Sequence, residues 1–517
     1  MAIIGTALLA LYTSTSILTG GGNTLADFFF YTMVGLGVLG ALAPRLTFWV
    51  FLVLCAVLDL MKRLLIFGGS IEFVDLFWVL GVAPVAMCGI VFGLVMRILF
   101  GKITADFGDV RRLAGAVLLN VILAAYMVAK GGGIGGTLRQ VANSSCYAVL
   151  LFVVPLLFRS PQEIIGCLRA IILIFVPVAL YGVYQQTFGF LPFELDYLKT
   201  GLSIEIKQLE ADRVRAFSTL NSPPSLSVVC CSLAAYVCTI SFSRARELGR
   251  GFATPVALLL VMTFLAGWMA STARSGIILV PVALLGALLF QSKRGVRLFY
   301  GLSIGSFVSL VLLSPILITR IFVWTDALVS MTGGSQFFRH VLNMNSYVDR
   351  LQGFANVLMN PQAYTLFGLG DPTERSTAFY NHDPVSEALL SYGVVGLVLG
   401  TVVGGVLLWR IHEVVVGMKH PVLRALAAAC LANAAGSVAV SLLNGNLLGV
   451  YPINVFFWSS IAFTVALRRC DDVVVAELRR MKAAPPAADV ASQAPDLRVH
   501  PGRFAPVPRP VGGEATA

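Results

Sequence analysis

Three polar residues in an otherwise apolar chain have chemistry that could act together. His382 stands beside Asp383 in NHDPVSEALLSYGVVG, residues 381–396, directly before an apolar segment from Ala388 to Trp409 long enough to cross a bilayer. An imidazole titrates near neutral pH, so one held at the mouth of a membrane cavity can take a proton from a hydroxyl and return it. Arg215 precedes Ser218, Thr219, Asn221 and Pro223, and Arg274 sits in STARSG, residues 271–276. A guanidinium stays protonated and offers a planar fork of donors suited to phosphate oxygens, and the contact strengthens where water is partly excluded. Two arginines converging with a histidine would suit a diphosphate leaving group and a hydroxyl acceptor. The plainer alternatives are a solvated or helix-capping histidine and arginines that anchor their helices among lipid headgroups.

The elements that must position these residues are membrane helices. Of 517 residues, 57% are hydrophobic and 12% charged, too little polar surface for a soluble globule. The chain reads as an all-α polytopic membrane protein. Apolar runs cut by charge, Gly or Pro fall at 2–20, 26–43, 46–61, 73–98, 113–129, 146–158, 163–188, 225–242, 254–270, 276–291, 298–318, 386–409, 422–444 and 452–467. That is about fourteen spans, with twelve equally defensible. The first run lacks the basic start of a cleaved leader and reads as a retained helix. The transmembrane domain is thus 1–467, and 468–517, which turns Ala/Pro-rich, is expected to be a disordered cytoplasmic tail. Nine cysteines form no C-x-x-C pair and lie mostly in apolar runs, which indicates packing rather than zinc or disulfides.

Charge sets the orientation. The net charge of +11 is carried in short loops and the tail, as helix orientation requires, so it does not argue for nucleic acid. Arg97, Lys102, Arg111, Arg112, Arg159, Arg244, Arg246, Arg250, Lys293, Arg294, Arg297, Arg410 and Lys419 all fall on one side if the spans alternate. That side is expected to be the cytoplasm. Lys62 and Arg63 fall on the other side; pairing with Asp59 at helical spacing, snorkelling or a different placement of the first three spans accounts for them, and binding an anionic substrate is a further option.

Two outer segments are too long to be turns, 187–224 and 319–385, the second lying before the third-last helix. Both hold too many aromatic and aliphatic residues for disorder, so short helices folded over the outer face are expected. The second carries Arg339, His340, Arg350, Gly368, Gly370, Arg375 and His382.

The stretch from His382 resembles the signature of the O-antigen ligase and polysaccharide polymerase superfamily, a histidine followed at a fixed interval by Gly-x-x-Gly, here Gly393 and Gly396. Asp383 stands where that family usually has Asn, Ser or Gln. RAFSTLNSPPSLS from Arg215 is similar to the family's Arg-x-x-Gly-x-x-x-Asn-Pro-Asn pattern, keeping Arg215 and Pro223 but with Ser218, Ser222 and Pro224 in place of Gly, Asn and Asn. TARSG resembles its Ser-Arg-Gly motif and keeps Arg274, and FGLG, Phe367 to Gly370, looks like the Gly-x-Gly that follows the large outer loop. The order of these motifs is more specific than any one of them, and the resemblance covers about 210–400.

The resemblance implies a GT-C-like membrane glycosyltransferase of the bacterial inner membrane. It would work on the periplasmic face without cofactor or metal, with 187–224 and 319–385 as periplasmic loops. Such an enzyme moves a glycan from undecaprenyl diphosphate, with inversion, to an acceptor sugar hydroxyl or to lipid A core. Arg215 and Arg274 would bind the diphosphate, and His382 would be the general base. Asp383, Glu387, Arg350 and Arg339 are possible supporting residues, with Asp371 and Glu374 as further helpers; helix capping is the alternative for Asp383 and Glu387. A flippase and a chain-length regulator are the implied protein partners. Asp383 inclines the reading towards a polymerase of O-antigen or exopolysaccharide repeat units, ahead of a ligase acting on lipid A core. A lipid-linked glycan transporter would need related halves and midplane acids, whereas the runs between 225 and 318 hold no Asp, Glu, Lys or Arg.

Overall fold

The computed structural model of the chain describes residues 24–67, 73–129, 141–199, 215–248, 251–303, 359–361, 364–368, 384–445 and 447–483, with a few isolated positions besides. Among the described residues the regular structure is entirely helical. The first four helices are α1 (Thr24–Leu42), α2 (Pro44–Phe67), α3 (Phe73–Leu99) and α4 (Phe107–Ala129). Single turns at Val141–Ser145 and Cys146–Val149 lead into α5 (Leu150–Leu157), and α6 (Pro161–Phe188) and the short α7 (Pro192–Lys199) follow. Then come α8 (Pro223–Phe242), α9 (Thr254–Ser271), a 3-10 turn Arg274–Ile278 running into α10 (Leu279–Leu289), and a helical stretch at 293–303. The chain closes with α11 (Pro384–Val416), α12 (Pro421–Asn444) and α13 (Ile453–Ala483).

Eight of these helices are long and apolar enough to cross a membrane, and three shorter apolar helices accompany them. The protein is a polytopic α-helical membrane protein. The sequence spans from 26 to 291 and from 386 to 467 each correspond to a helix, whereas the span at 2–20 and most of that at 298–318 lie outside the described residues.

Helix starts follow local chemistry. Ser160 accepts a hydrogen bond from the Glu163 N–H (3.2 Å) while Glu163 Oε2 accepts from the Arg159 N–H (2.9 Å), with Pro161 in the first helical position of α6. Between α1 and α3 the pairing is set by small residues: a side chain on Gly40 would meet the Ile90 nitrogen at 2.7 Å, and one on Gly89 would strike the Gly37 carbonyl. Close backbone approach of this kind is how helices associate where no hydrophobic gradient drives them together.

The centre of the bundle is α8, whose apolar window is 89% buried; α4 and α11, at 6%, form the periphery. Polar pairs tie α8 to its neighbours at depth. Ser232 Oγ donates to Asn433 Oδ1 on α12 (2.8 Å), and the Tyr236 hydroxyl bonds Ser460 Oγ on α13 (2.5 Å).

One end of the bundle is a basic collar. Arg97 donates to Leu42 O (2.7 Å), Arg45 pairs with Glu163 (2.9 Å), Asp109 is gripped by Arg112 and Arg469 (2.9 Å for the latter), and Asp471 accepts the N–H groups of Lys419 (2.9 Å) and His420 (2.7 Å). These contacts join the ends of seven helices on one face, including the loops in which the charge count placed Arg97, Arg112, Arg159 and Lys419. They also move the start of the tail. Helix α13 runs on to Ala483, with Arg468, Arg469 and Asp471 built into the collar, because those charges find fixed partners on α4 and before α12. Residues 468–483 are therefore helical rather than disordered, and the rest of the tail lies outside the described residues.

Candidate functional site

The opposite end of the bundle carries the two arginine segments. Helix α8 starts there, with Pro223 in its first turn and Ser222 as its cap, the Ser222 Oγ accepting from the Ser225 N–H at 3.4 Å. Arg215 lies seven residues before that cap, partly buried, at the start of an irregular segment whose remaining residues are almost all buried.

What holds this segment is a buried clamp. Arg63, near the end of α2 and 1% exposed, donates from Nη1 to Ser218 O (2.5 Å) and from Nη2 to Leu220 O, and its guanidinium stacks 4.0 Å from the centre of the Phe217 ring. Glu194 of α7 lies 3.4 Å from Arg63 Nη1 and also accepts from Gln185 Nε2 (2.7 Å) and the Leu191 N–H (3.1 Å). Gln185, near the end of α6, takes the N–H groups of Phe217 (3.2 Å) and Ser218 (2.6 Å) on its Oε1. Thr219 donates to Ala56 O (2.5 Å) and Ser218 Oγ to Val178 O (2.5 Å). Beside this clamp Lys62 bonds Asn221 Oδ1 at 3.0 Å and sits 3.7 Å from Asp59. The Lys62–Asp59 pairing is the one the helical spacing suggests; Arg63, by contrast, does not snorkel but turns inward. Burial pushes the Glu194 carboxyl above its ordinary range, against the pull of the Leu191 N–H and Arg63, which lower it.

Ser218 occupies the position at which the resembled pattern has glycine, and its φ is +57°. A serine tolerates that left-handed conformation at a cost a glycine does not incur. The Oγ bond to Val178 O and the Gln185 clamp hold it there.

Arg274 reaches the same end of α8 from another helix. After α9 stops at Ser271, Thr272 turns with φ +52°, and Ala273 O accepts from both Ser227 Oγ (2.7 Å) and Trp268 Nε1 (3.0 Å). Gly276 then lies against Ser227, in the second turn of α8, so closely that a Cβ would sit 2.9 Å from the Ser227 carbonyl carbon. Both arginine-bearing turns thus lie at the amino-terminal end of α8, one running directly into the Ser222 cap and the other tied to it through Ser227. Arg274, like Arg215, is partly buried.

The glycine signature in α11 also has a physical basis. At Gly393 the helix is broken, with φ 70° and ψ −171°. The N–H groups of Val394 and Val395, freed by the break, donate to Thr365 O (3.0 Å) and Leu366 O (3.2 Å). Gly368, itself at φ +78°, packs against the Ser391 carbonyl, and the Tyr126 hydroxyl at the end of α4 donates to Ser391 O (2.7 Å) and contacts Phe367 O. Any side chain at Gly393 would overlap Leu366. A broken helix at membrane depth is stable only where such partners satisfy its backbone.

The structure therefore describes Arg215 and Arg274 at one helix end. His382, Asp383, Arg339, Arg350, Asp371 and Glu374 lie outside the described residues, and Glu387 is placed in α11 without a described side chain. Among the described residues no three His, Cys, Asp or Glu side chains gather as metal ligands would. The residues that sequence reasoning did not single out are Gln185, Glu194 and Tyr126. Only the odd placement of Lys62 and Arg63 on the sparsely charged face pointed towards the clamp.

The fold and this polar end define a multi-pass helical membrane protein with an arginine-bearing face opposite a basic collar. Comparison with protein-family models and with characterised proteins finds no match to the chain.

Proposed function

We propose that the protein is a GT-C-like membrane glycosyltransferase that moves a glycan from a polyprenyl diphosphate to an acceptor sugar hydroxyl, polymerising O-antigen or exopolysaccharide repeat units. The observation that carries this reading is the anchoring of Arg215 and Arg274 at the amino-terminal end of the most buried helix, on the face away from the basic collar. The positive-inside rule makes the collar cytoplasmic and the arginine face periplasmic in an inner membrane. Two guanidinium groups beside the positive end of α8 suit a diphosphate whose polyprenyl tail stays among the helices. The remaining spans, at 2–20 and 298–318, would bring the total to about twelve to fourteen.

In the reaction, His382 would take the proton of the acceptor hydroxyl as its oxygen attacks the anomeric carbon. The bond from that carbon to the diphosphate oxygen breaks with inversion, and the lipid diphosphate leaves with its charge held by Arg215 and Arg274. Deleting the gene and analysing surface glycan separates the two products. Single repeat units on lipid A core indicate a polymerase, and long chains left on the lipid carrier indicate a ligase.

A further inference from the structure

Arg63 is more elaborately built into the fold than its place at the end of a membrane helix requires. Its guanidinium is buried, and its fork takes two carbonyls, Ser218 O and Leu220 O, on either side of the turn at Thr219. The same segment is held through its N–H groups by Gln185, whose amide is in turn held by Glu194, the residue that pairs with Arg63. Three helices, α2, α6 and α7, therefore meet through one closed ring of charge-assisted and amide hydrogen bonds around residues 217–220. Phe217 is fixed between the Arg63 plane and the stacked ring of Phe190, at 4.0 Å and 5.0 Å.

We infer that Arg63 is the positioning residue that sets where Arg215 presents its guanidinium to the diphosphate of a lipid-linked donor. This rests on the reading given under Proposed function. From Phe217 to Ser222 the backbone is held at Phe217, Ser218, Leu220 and the Ser222 cap, so the direction in which the chain leaves towards Arg215 is fixed two residues away. Arg63 itself, at 1% exposure, is sealed from the outer face and acts through the segment it holds. A planar fork satisfies both carbonyls and the carboxylate at once; an ammonium group has the charge but not the geometry. Arg63→Lys thus loosens the segment while leaving the local charge unchanged. A shift on the order of 1 Å at a group that must meet a reacting diphosphate can cost up to about a hundredfold.

The test uses the full chain in lipid nanodiscs, with binding of an unsubstituted polyprenyl diphosphate and transfer from its glycan-bearing form both measured. Arg215→Ala, Arg63→Lys and the double variant are compared. The expected result is weaker binding by about tenfold in each single variant, and a double variant no weaker than Arg215→Ala, because the two residues act through one contact. If Arg215→Ala leaves diphosphate binding intact, the glycosyltransferase reading fails and the inference goes with it. If Arg215→Ala weakens binding but Arg63→Lys does not, or if the losses multiply in the double variant, the inference alone is overturned. Should Arg63→Lys fail to reach the membrane, Gln185→Met removes the acceptor for the Phe217 and Ser218 N–H groups from the other side, and the same non-additivity with Arg215→Ala is required.

Discussion

Replacing Arg63 with methionine keeps an unbranched apolar stem and removes the guanidinium with everything polar that it does. The ion pair with Glu194 is lost, the Leu220 carbonyl loses its donor, and Ser218 O keeps only the longer bond from Gln185 Nε2 (3.4 Å). Breaking a buried pair from one side costs about 3–5 kcal/mol, and the orphaned Leu220 carbonyl about 1–3 kcal/mol. These overlap in one site, so a total near 3–5 kcal/mol is expected rather than the sum. Glu194→Gln keeps an oxygen that Gln185 and Arg63 can still reach but leaves the buried Arg63 charge without its counter-charge, so by the same rule it should cost about 3–5 kcal/mol. Combined with Arg63→Met it should recover about 1–3 kcal/mol, because the stranded carboxylate is gone.

The pH dependence follows in sign. Without Arg63, burial raises the Glu194 carboxyl with less to oppose it, so the folded state favours the protonated form. The penalty is absent below the ordinary carboxyl range, where both states are protonated, and grows as pH rises towards the folded value. Arg63→Met should therefore lose more stability at pH 8 than at pH 5, and Glu194→Gln should flatten that slope. The assay is unfolding of purified protein in mixed detergent micelles, followed by circular dichroism. An Arg63→Met variant that loses less than about 1 kcal/mol, or an additive double variant, would refute the clamp.

Further expectations concern backbone and packing. Ser218→Gly should stay within about 1 kcal/mol of wild type, since relief of the left-handed strain offsets the lost Oγ bond. Ser218→Val, β-branched at φ +57°, should unfold at clearly lower denaturant. Gly393→Ala forces a side chain into Leu366 at a positive φ and should cost several kcal/mol, whereas Gly404→Ala on the same helix meets open space and should be neutral, both read from the same unfolding curves. Tyr126→Phe removes the donor to Ser391 O and should raise hydrogen exchange at Val394 and Val395 without displacing α4.

Much of the fold was legible in the sequence because membrane spans declare themselves by length and apolarity alone. The runs at 73–98, 163–188 and 225–242 match α3, α6 and α8 to within a few residues. Where a helix outlasts its apolar run, as α13 does past Leu467, composition is silent: the continuation depends on Asp109 meeting Arg469 from a helix more than three hundred residues away. The candidate site was legible in part. Arg215 and Arg274 could be picked out as cations between apolar runs, but their sharing one end of α8 rests on the contact of Ser227, an unremarkable serine, with Ala273 O. The clamp was the least visible, because Arg63, Gln185 and Glu194 come from three separate elements and form a site only once α2, α6 and α7 are packed. Left-handed backbone at Ser218 is likewise invisible in a residue type that seldom adopts it.

The measurement closest to the central claim is glycan transfer by the purified protein in nanodiscs, supplied with a polyprenyl-diphosphate-linked repeat unit and no other enzyme. The account predicts that wild-type protein lengthens the glycan and releases the lipid diphosphate, and that Arg215→Ala, Arg274→Ala and His382→Ala are each folded and inactive. Full-length product from the His382→Ala variant would contradict it.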